Sequence, residues 1–317
     1  MKMIRRENNI LSSTHKDSQG EMMAKSALES MVLQLNGNRK PRIGLEHNIT
    51  IPPLGIITNG KILEGIDNEF YLMADHLYFD KQEIVYSNDG IELVKEYFSE
   101  GTYPFIEGGE KEVSKIKVGT DPTNFESLED VLETYKLIKE ISGYEFEESV
   151  IGRKSEMPDP ETIITIGKTI AVILGISKTK ILEKLGDSMG DDLAKFYKLI
   201  STIAVETIKK VKPSNRPKNF IIIYPNSECS IELVIKTHKA DEVLSSLQIE
   251  KLSPIDNKVQ QLKNLNPEKI QFIYNENNQW EFNYMLSKEG SVFGTKKSFN
   301  KRNNLYNQIL INQTQQN

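Results

Sequence analysis

Ile43–Asp80 reads IGLEHNITIPPLGIITNGKILEGIDNEFYLMADHLYFD, and the order of its parts sets the fold class. His47 lies in a polar loop ahead of Ile51-Pro52-Pro53-Leu54-Gly55. The two prolines fix two φ angles and remove two backbone donors. Gly55 then lets the backbone turn in close. Leu54, Ile56 and Ile57 enter a strand, and Asn59-Gly60 marks a bulge or hairpin before Lys61–Glu64 continues it. After the Asp67-Asn68 turn, Glu69–Leu77 alternates. Phe70, Leu72 and Ala74 share one face, and Tyr71, Met73 and Asp75 share the other.

Upstream, Ile10–Ser13 predicts a first strand, and His15–Glu21 a turn rich in Asp and Gly. Ala24, Leu28, Met31, Val32 and Leu35 recur at helical spacing, so Ala24–Leu35 is an amphipathic helix. Asn36-Gly37-Asn38 ends it, with Gly37 where a left-handed cap is cheap. Pro41–Leu45 reads as a buried strand. Downstream, Ile91–Phe98 is helical or extended, and Val113–Val118 is a strand. Short strands, one helix and frequent turns predict a small β-barrel-like domain over residues 1–118.

Residues 119–215 predict a central helical segment. Leu128, Val131, Leu132, Tyr135, Leu137, Ile138 and Ile141 form an apolar face over Ser127–Ile141, with Glu129 and Asp130 where the helix dipole favours acids. Gly143 stops that helix. Met157-Pro158-Asp159-Pro160 marks a boundary. Within Glu161–Leu185 the run Ile163–Ile176 is apolar almost all round but interrupted by Lys168, and it is shorter than the roughly 20 apolar residues of a spanning helix. It reads as a helix buried between domains. Gly167, Ala171 and Gly175 on one face also suit a membrane-touching or oligomer-forming helix. Asp192–Lys210 continues as a long amphipathic helix. Residues 216–317 predict an α+β domain with antiparallel strands: Asn219–Tyr224 with Ser230–Thr237, and Lys269–Tyr274 with Trp280–Leu286, plus helices at Ala240–Leu247 and Ile255–Leu265. A polar helical tail closes the chain and is expected to fray. The expected class is therefore α+β, in segments 1–118, 119–215 and 216–317.

The chain of 317 residues is 38% hydrophobic and 27% charged, a globular composition with room for two or three domains. A formal charge of −5, with no basic face before the tail, argues against nucleic acid as a partner. Cys229 is the single cysteine, so no intrachain disulfide can form. Four scattered histidines give no zinc-ligand spacing, and the Leu185–Leu193 break, which lacks the Gly-Lys-Ser/Thr element, is not a phosphate loop. No cofactor and no metal are expected. Met1–Ile10 is charged and polar, without a signal-peptide core, and predicts an intracellular, cytoplasmic protein.

The succession Asp17-Ser18-Gln19-Gly20, Ala27-Leu28, Glu46-His47, Pro53-Leu54-Gly55 and the strand Tyr71–Phe79 resembles the phage prohead (capsid-maturation) protease family and related phage serine proteases. The resemblance covers the first third of the chain. It implies that His47 falls on the general base of a serine protease, with a nucleophilic Ser on a later strand. A nucleophile needs a base in hydrogen-bond reach and an oxyanion-binding backbone beside it. Here Tyr97–Gly109 departs from the family: Thr102 follows Gly101, and no Ser lies between Gly101 and Gly108. Ser99 is the candidate nucleophile, with Ser87 and Ser114 behind it. His76, next to Asp75, is the candidate that would orient His47. His15, in a turn, is assigned no role.

The departure predicts a protease-like fold that acts as an interaction protein, phage- or prophage-related, with a protein or peptide partner. Two alternatives stand beside it. One is a serine endopeptidase of the capsid-maturation type using His47. The other is an oligomerising or membrane-active effector working through residues 161–185.

Overall fold

The computed structural model describes residues 5–16, 22–107, 116–151, 160–167, 170–171, 174, 189–225 and 229–315. In chain order the first elements are β1 (Arg5–Ser13), α1 (Lys25–Asn36), β2 (Arg42–Ile43), β3 (Gly55–Glu64), β4 (Phe70–Tyr78), β5 (Lys81–Tyr86) and β6 (Glu92–Tyr97). Then come β7 (Lys117–Thr120), α2 (Leu128–Ser142), β8 (Glu147–Val150), β9 (Glu161–Thr165), α3 (Met189–Ile208), β10 (Lys218–Pro225) and β11 (Ser230–Thr237). Last are α4 (Ala240–Ser246), α5 (Ile249–Gln261), β12 (Pro267–Tyr274), β13 (Trp280–Ser287), β14 (Val292–Gly294) and α6 (Lys296–Gln315). The class is α+β, as the two hydrophobic periodicities imply. Two compact units emerge. One holds Met1–Gly108, Leu265–Pro267 and Tyr284–Asn317, and the other Gly109–Asn264 and Glu268–Asn283.

The first unit contains a half-barrel of four antiparallel strands in the order β1-β4-β3-β2. Leu28 and Leu35 of α1 bury against Leu72 and Ala74 of β4, which the alternation placed on one face. Asn59-Gly60 is a bulge and not a hairpin: Asn59 takes φ +55° and the β3–β4 register shifts between Thr58 and Lys61. Gly55 is obligatory, since a Cβ there would stand 2.0 Å from the Leu77 carbonyl oxygen. The strand before the prolines shrinks to Arg42–Ile43. Gly37 is extended at φ −65°, so the expected left-handed cap is absent. Asn36 replaces it by exchanging two hydrogen bonds with the Gly60 backbone, at 2.8 and 2.9 Å.

The same unit carries the run β5-β6-β14 and the end of β13 from Tyr284. Ile91–Phe98 resolves its ambiguity as strand β6, and β5 was hidden in the polar Lys81-Gln82-Glu83. Val94, Phe98, Phe105, Leu286 and Phe299 make a core with Ile56 and Leu77. Phe299 sits on α6, so the tail is a docked helix and not a frayed one through this turn. Arg302, 4% exposed, fixes it with a bidentate pair to Glu96 at 2.6 and 2.7 Å and a third bond to the Pro53 carbonyl at 3.0 Å.

The second unit orders its strands from β12 through β11, β10, β9 and β7 to β8. β10 and β11 form the expected antiparallel hairpin, but β9–β10 and β11–β12 run parallel. Val118, Ile164, Phe220, Ile222 and Leu233 are essentially inaccessible. Helix α2 forms as its caps dictate: Ser127 Oγ accepts from the Asp130 amide at 3.1 Å, and Gly143 closes it at φ +68°. Its buried stripe is Val131, Tyr135 and Ile138, while Leu128, Leu132, Leu137 and Ile141 flank it in solvent.

Two expectations for the middle of the chain are corrected. Glu147–Val150 is strand β8, inside the segment 119–215 expected to be helical. Glu161–Thr165 is strand β9, not the start of a helix over 161–185. Four of its five residues, Thr162, Ile163, Ile164 and Thr165, are β-branched, the strand pairs with β10, and that pairing overrides the apolar run as a helical signal. Ile170 and Ala171 are helical, but Lys168 and residues 175–188 lie outside the described residues, so the Gly167/Ala171/Gly175 face is not a described feature. Helix α5 begins six residues before the expected Ile255 and accommodates Pro254 within it.

Candidate functional site

The loop that carries His47 is tied down at several points. The Asn48 amide donates to the Leu45 carbonyl at 2.9 Å, Asn48 Oδ1 accepts from the Thr50 amide and hydroxyl, and Tyr284 Oη donates to the Ile49 carbonyl at 3.0 Å. Glu46 and His47 both take left-handed φ, +50° and +51°, and both are exposed. The imidazole therefore stands on a fixed surface turn.

Ser99 is elsewhere engaged. Its hydroxyl donates to Asp80 Oδ2 at 2.5 Å and its amide to Asp80 Oδ1 at 2.7 Å. Burial pushes the Asp80 carboxyl up, but these donors outweigh it and hold it below its usual value. The Ser99 proton thus goes to a carboxylate, in a bond that fastens the end of β6 to the start of β5. Ser87 is similarly used: its hydroxyl donates to Asp89 and receives the Ile91 amide at 3.1 Å, closing the β5–β6 turn. Ser114 lies outside the described residues.

His76 does not orient a base. It stands half-buried on β4 beside Tyr78, with ring centroids 6.4 Å apart. Burial first, then Arg6, lowers its pKa below the ordinary imidazole value. Its neighbour Asp75 faces the other side of the strand. There Arg5, Asn59 and the Asn8 amide donate to it at 2.6, 2.8 and 3.0 Å. The alternation that predicted β4 therefore separates the Asp75–His76 pair.

Where sequence reasoning saw only a turn, the structure places an open cleft of about 540 Å³. Thr14, His15, Lys16, Met22, Met23, Lys25, Glu69 and Phe70 line it. Its frame is a reciprocal clamp at the β1–β4 ends. The Thr14 amide donates to the Phe70 carbonyl, and the Phe70 amide to Thr14 Oγ1, both at 2.9 Å. Glu69 bridges His15 Nδ1 at 2.6 Å and the Tyr71 hydroxyl at 2.7 Å. The His15 bond, followed by Tyr71, holds the Glu69 carboxyl below its ordinary range, and Glu69 in turn raises the Tyr71 phenol. Lys25 stands 3.9 Å from the Phe70 ring centroid, and Met23 Sδ accepts from Ser12 Oγ at 3.6 Å. The Glu69/Tyr71 spacing on one strand face was available in the sequence. Their meeting with His15, fifty-four residues away, was not.

Among the described residues no group of three His, Cys, Asp or Glu side chains is placed to hold a metal ion. The resemblance segment Asp17-Ser18-Gln19-Gly20 lies outside the described residues. No protein-family model, curated protein or solved structure matches the chain.

Proposed function

We propose that this chain is a non-catalytic interaction protein whose first unit binds an extended peptide segment, a reading in keeping with the departure of Tyr97–Gly109 from the protease pattern. The observation that carries the reading is the chemistry of the β1–α1–β4 cleft. Its apolar contacts come from Met22, Met23 and Phe70, and methionine adapts its shape to varied side chains. Among the described residues its lining carries Lys16, Lys25 and His15 against one acid, Glu69. That balance favours a peptide with an apolar anchor and acidic flanks. The engagement of Ser99 by Asp80 supports binding over cleavage, because a nucleophile must give its proton to a base and not to a structural carboxylate.

A peptide array of uniform length, varied in charge and anchor, tests the reading. Peptides with Leu, Met or Phe between acidic residues are expected to bind. The double change Lys16→Glu with Lys25→Glu should cost at least about tenfold in affinity for them and favour basic flanks instead. Binding unchanged by that double change, or fluorophosphonate labelling of Ser99, would overturn it.

A further inference from the structure

The strand edges of this protein are not protected alike, and β5 is the exception. β1 is broken by two register shifts, takes a left-handed residue at Asn8, and shows Arg5, Arg6 and Glu7 to solvent. β2 has two residues. β8 has four, beginning Glu147-Glu148. These are the devices by which soluble proteins prevent edge pairing: short strands, bulges and charge. β5, by contrast, runs through six successive pairs with β6 without a bulge or proline. It stands last in its strand order, and Ile84 and Tyr86 are 45% and 58% exposed along it.

We propose that β5 is a self-association edge, to which a second copy of this chain adds its own β5 antiparallel, with the two-fold axis beside Ile84. The occupant follows from charge and register. In that alignment Ile84 meets Ile84 of the other copy, and Gln82 lies opposite Tyr86. Lys81 opens the strand, and the exposed Asp89 stands in the turn beyond its end. Reversing one strand against the other brings each Lys81 diagonally across from the other copy's Asp89, within the reach of a long side chain. Glu83 falls opposite Val85, but its charge is already matched within its own chain by Lys95 at 2.7 Å. In this register the strand is complementary to itself, as a closed two-fold contact requires. One strand pair is a small interface, so the dimer is weak and forms at micromolar concentration. The inference rests on strand edges and is independent of the peptide cleft.

Sedimentation equilibrium of the full chain across the micromolar range is expected to pass from monomer to dimer. Ile84→Lys should raise the dissociation constant at least about tenfold, with the circular dichroism of the monomer unchanged. Lys81→Asp and Asp89→Lys should each weaken the dimer by a smaller factor, and the two together should restore it. Ile84→Cys under mild oxidation should give a disulfide-linked dimer, and Leu33→Cys, exposed on α1, should not. Should Ile84→Lys fail to fold, the charge exchange and the cross-link decide the matter. A monomer at every concentration, a dimer indifferent to these changes, or growth into longer ladders overturns the proposal.

Discussion

Asp75 shows how a single side chain can be read wrongly for function and correctly for stability. Beside His76 it suggests a catalytic pair, yet its carboxylate faces Arg5, Asn8 and Asn59. Burial raises its pKa, but those three donors prevail and bring it from 3.8 to about 2. A depressed carboxyl contributes stability above its unfolded pKa and loses it as the pH falls through the folded value. Urea unfolding should therefore weaken by about 2 kcal/mol between about pH 5 and pH 2 on account of this group, and Asp75→Asn should lack that component. An unchanged pH profile in Asp75→Asn would show that the three bonds do not act on the folded state. Local alternation placed Asp75 on the face away from Leu72 and Ala74. It could not show that β1, some 70 residues earlier, supplies a guanidinium there.

At the scale of elements, α6 carries the firmest prediction. Arg302 and Glu96 are 5% and 13% exposed at the side chain, and their pairing is bidentate. Arg302→Met leaves the Glu96 carboxylate buried without a counter-charge, a change that costs about 3–5 kcal/mol. Hydrogen exchange should then quicken throughout α6 and β6, and a second change, Glu96→Leu, should recover most of the protection. Elements with strong local punctuation were legible in the sequence. Helix α2 has Ser127 and Gly143 at its ends, β4 has its alternation, and β10 and β11 have their apolar hairpin pattern. Others were decided by distant partners. Glu161–Thr165 became a strand because β10 lies beside it. The mixed-polarity tail became a docked helix because Phe299 and Arg302, with Ser298 beside them, are buried out of a polar run. The cleft was invisible for the same reason: its walls come from a turn, a helix start and a strand start, each unremarkable alone.

For the molecule as a whole, the lone thiol offers a measure of integrity. Cys229 is buried, 7% exposed. In native protein it should react with a thiol reagent far more slowly than in denaturant, where one equivalent should react at once. Prompt native reaction would mean that the second unit opens readily. Among the described residues no helix is long and apolar enough to cross a membrane, and the strand at Glu161–Thr165 removes the first turn from the helix expected over 161–185. The first unit, meanwhile, takes its pieces from both ends of the sequence. On the ribosome, Glu96 is made some two hundred residues before the guanidinium that neutralises it. This half of the protein must therefore wait, unfinished, until translation has passed Arg302. A nascent product cut short before that codon would expose a lone charge in a dry core and present itself to quality-control proteases.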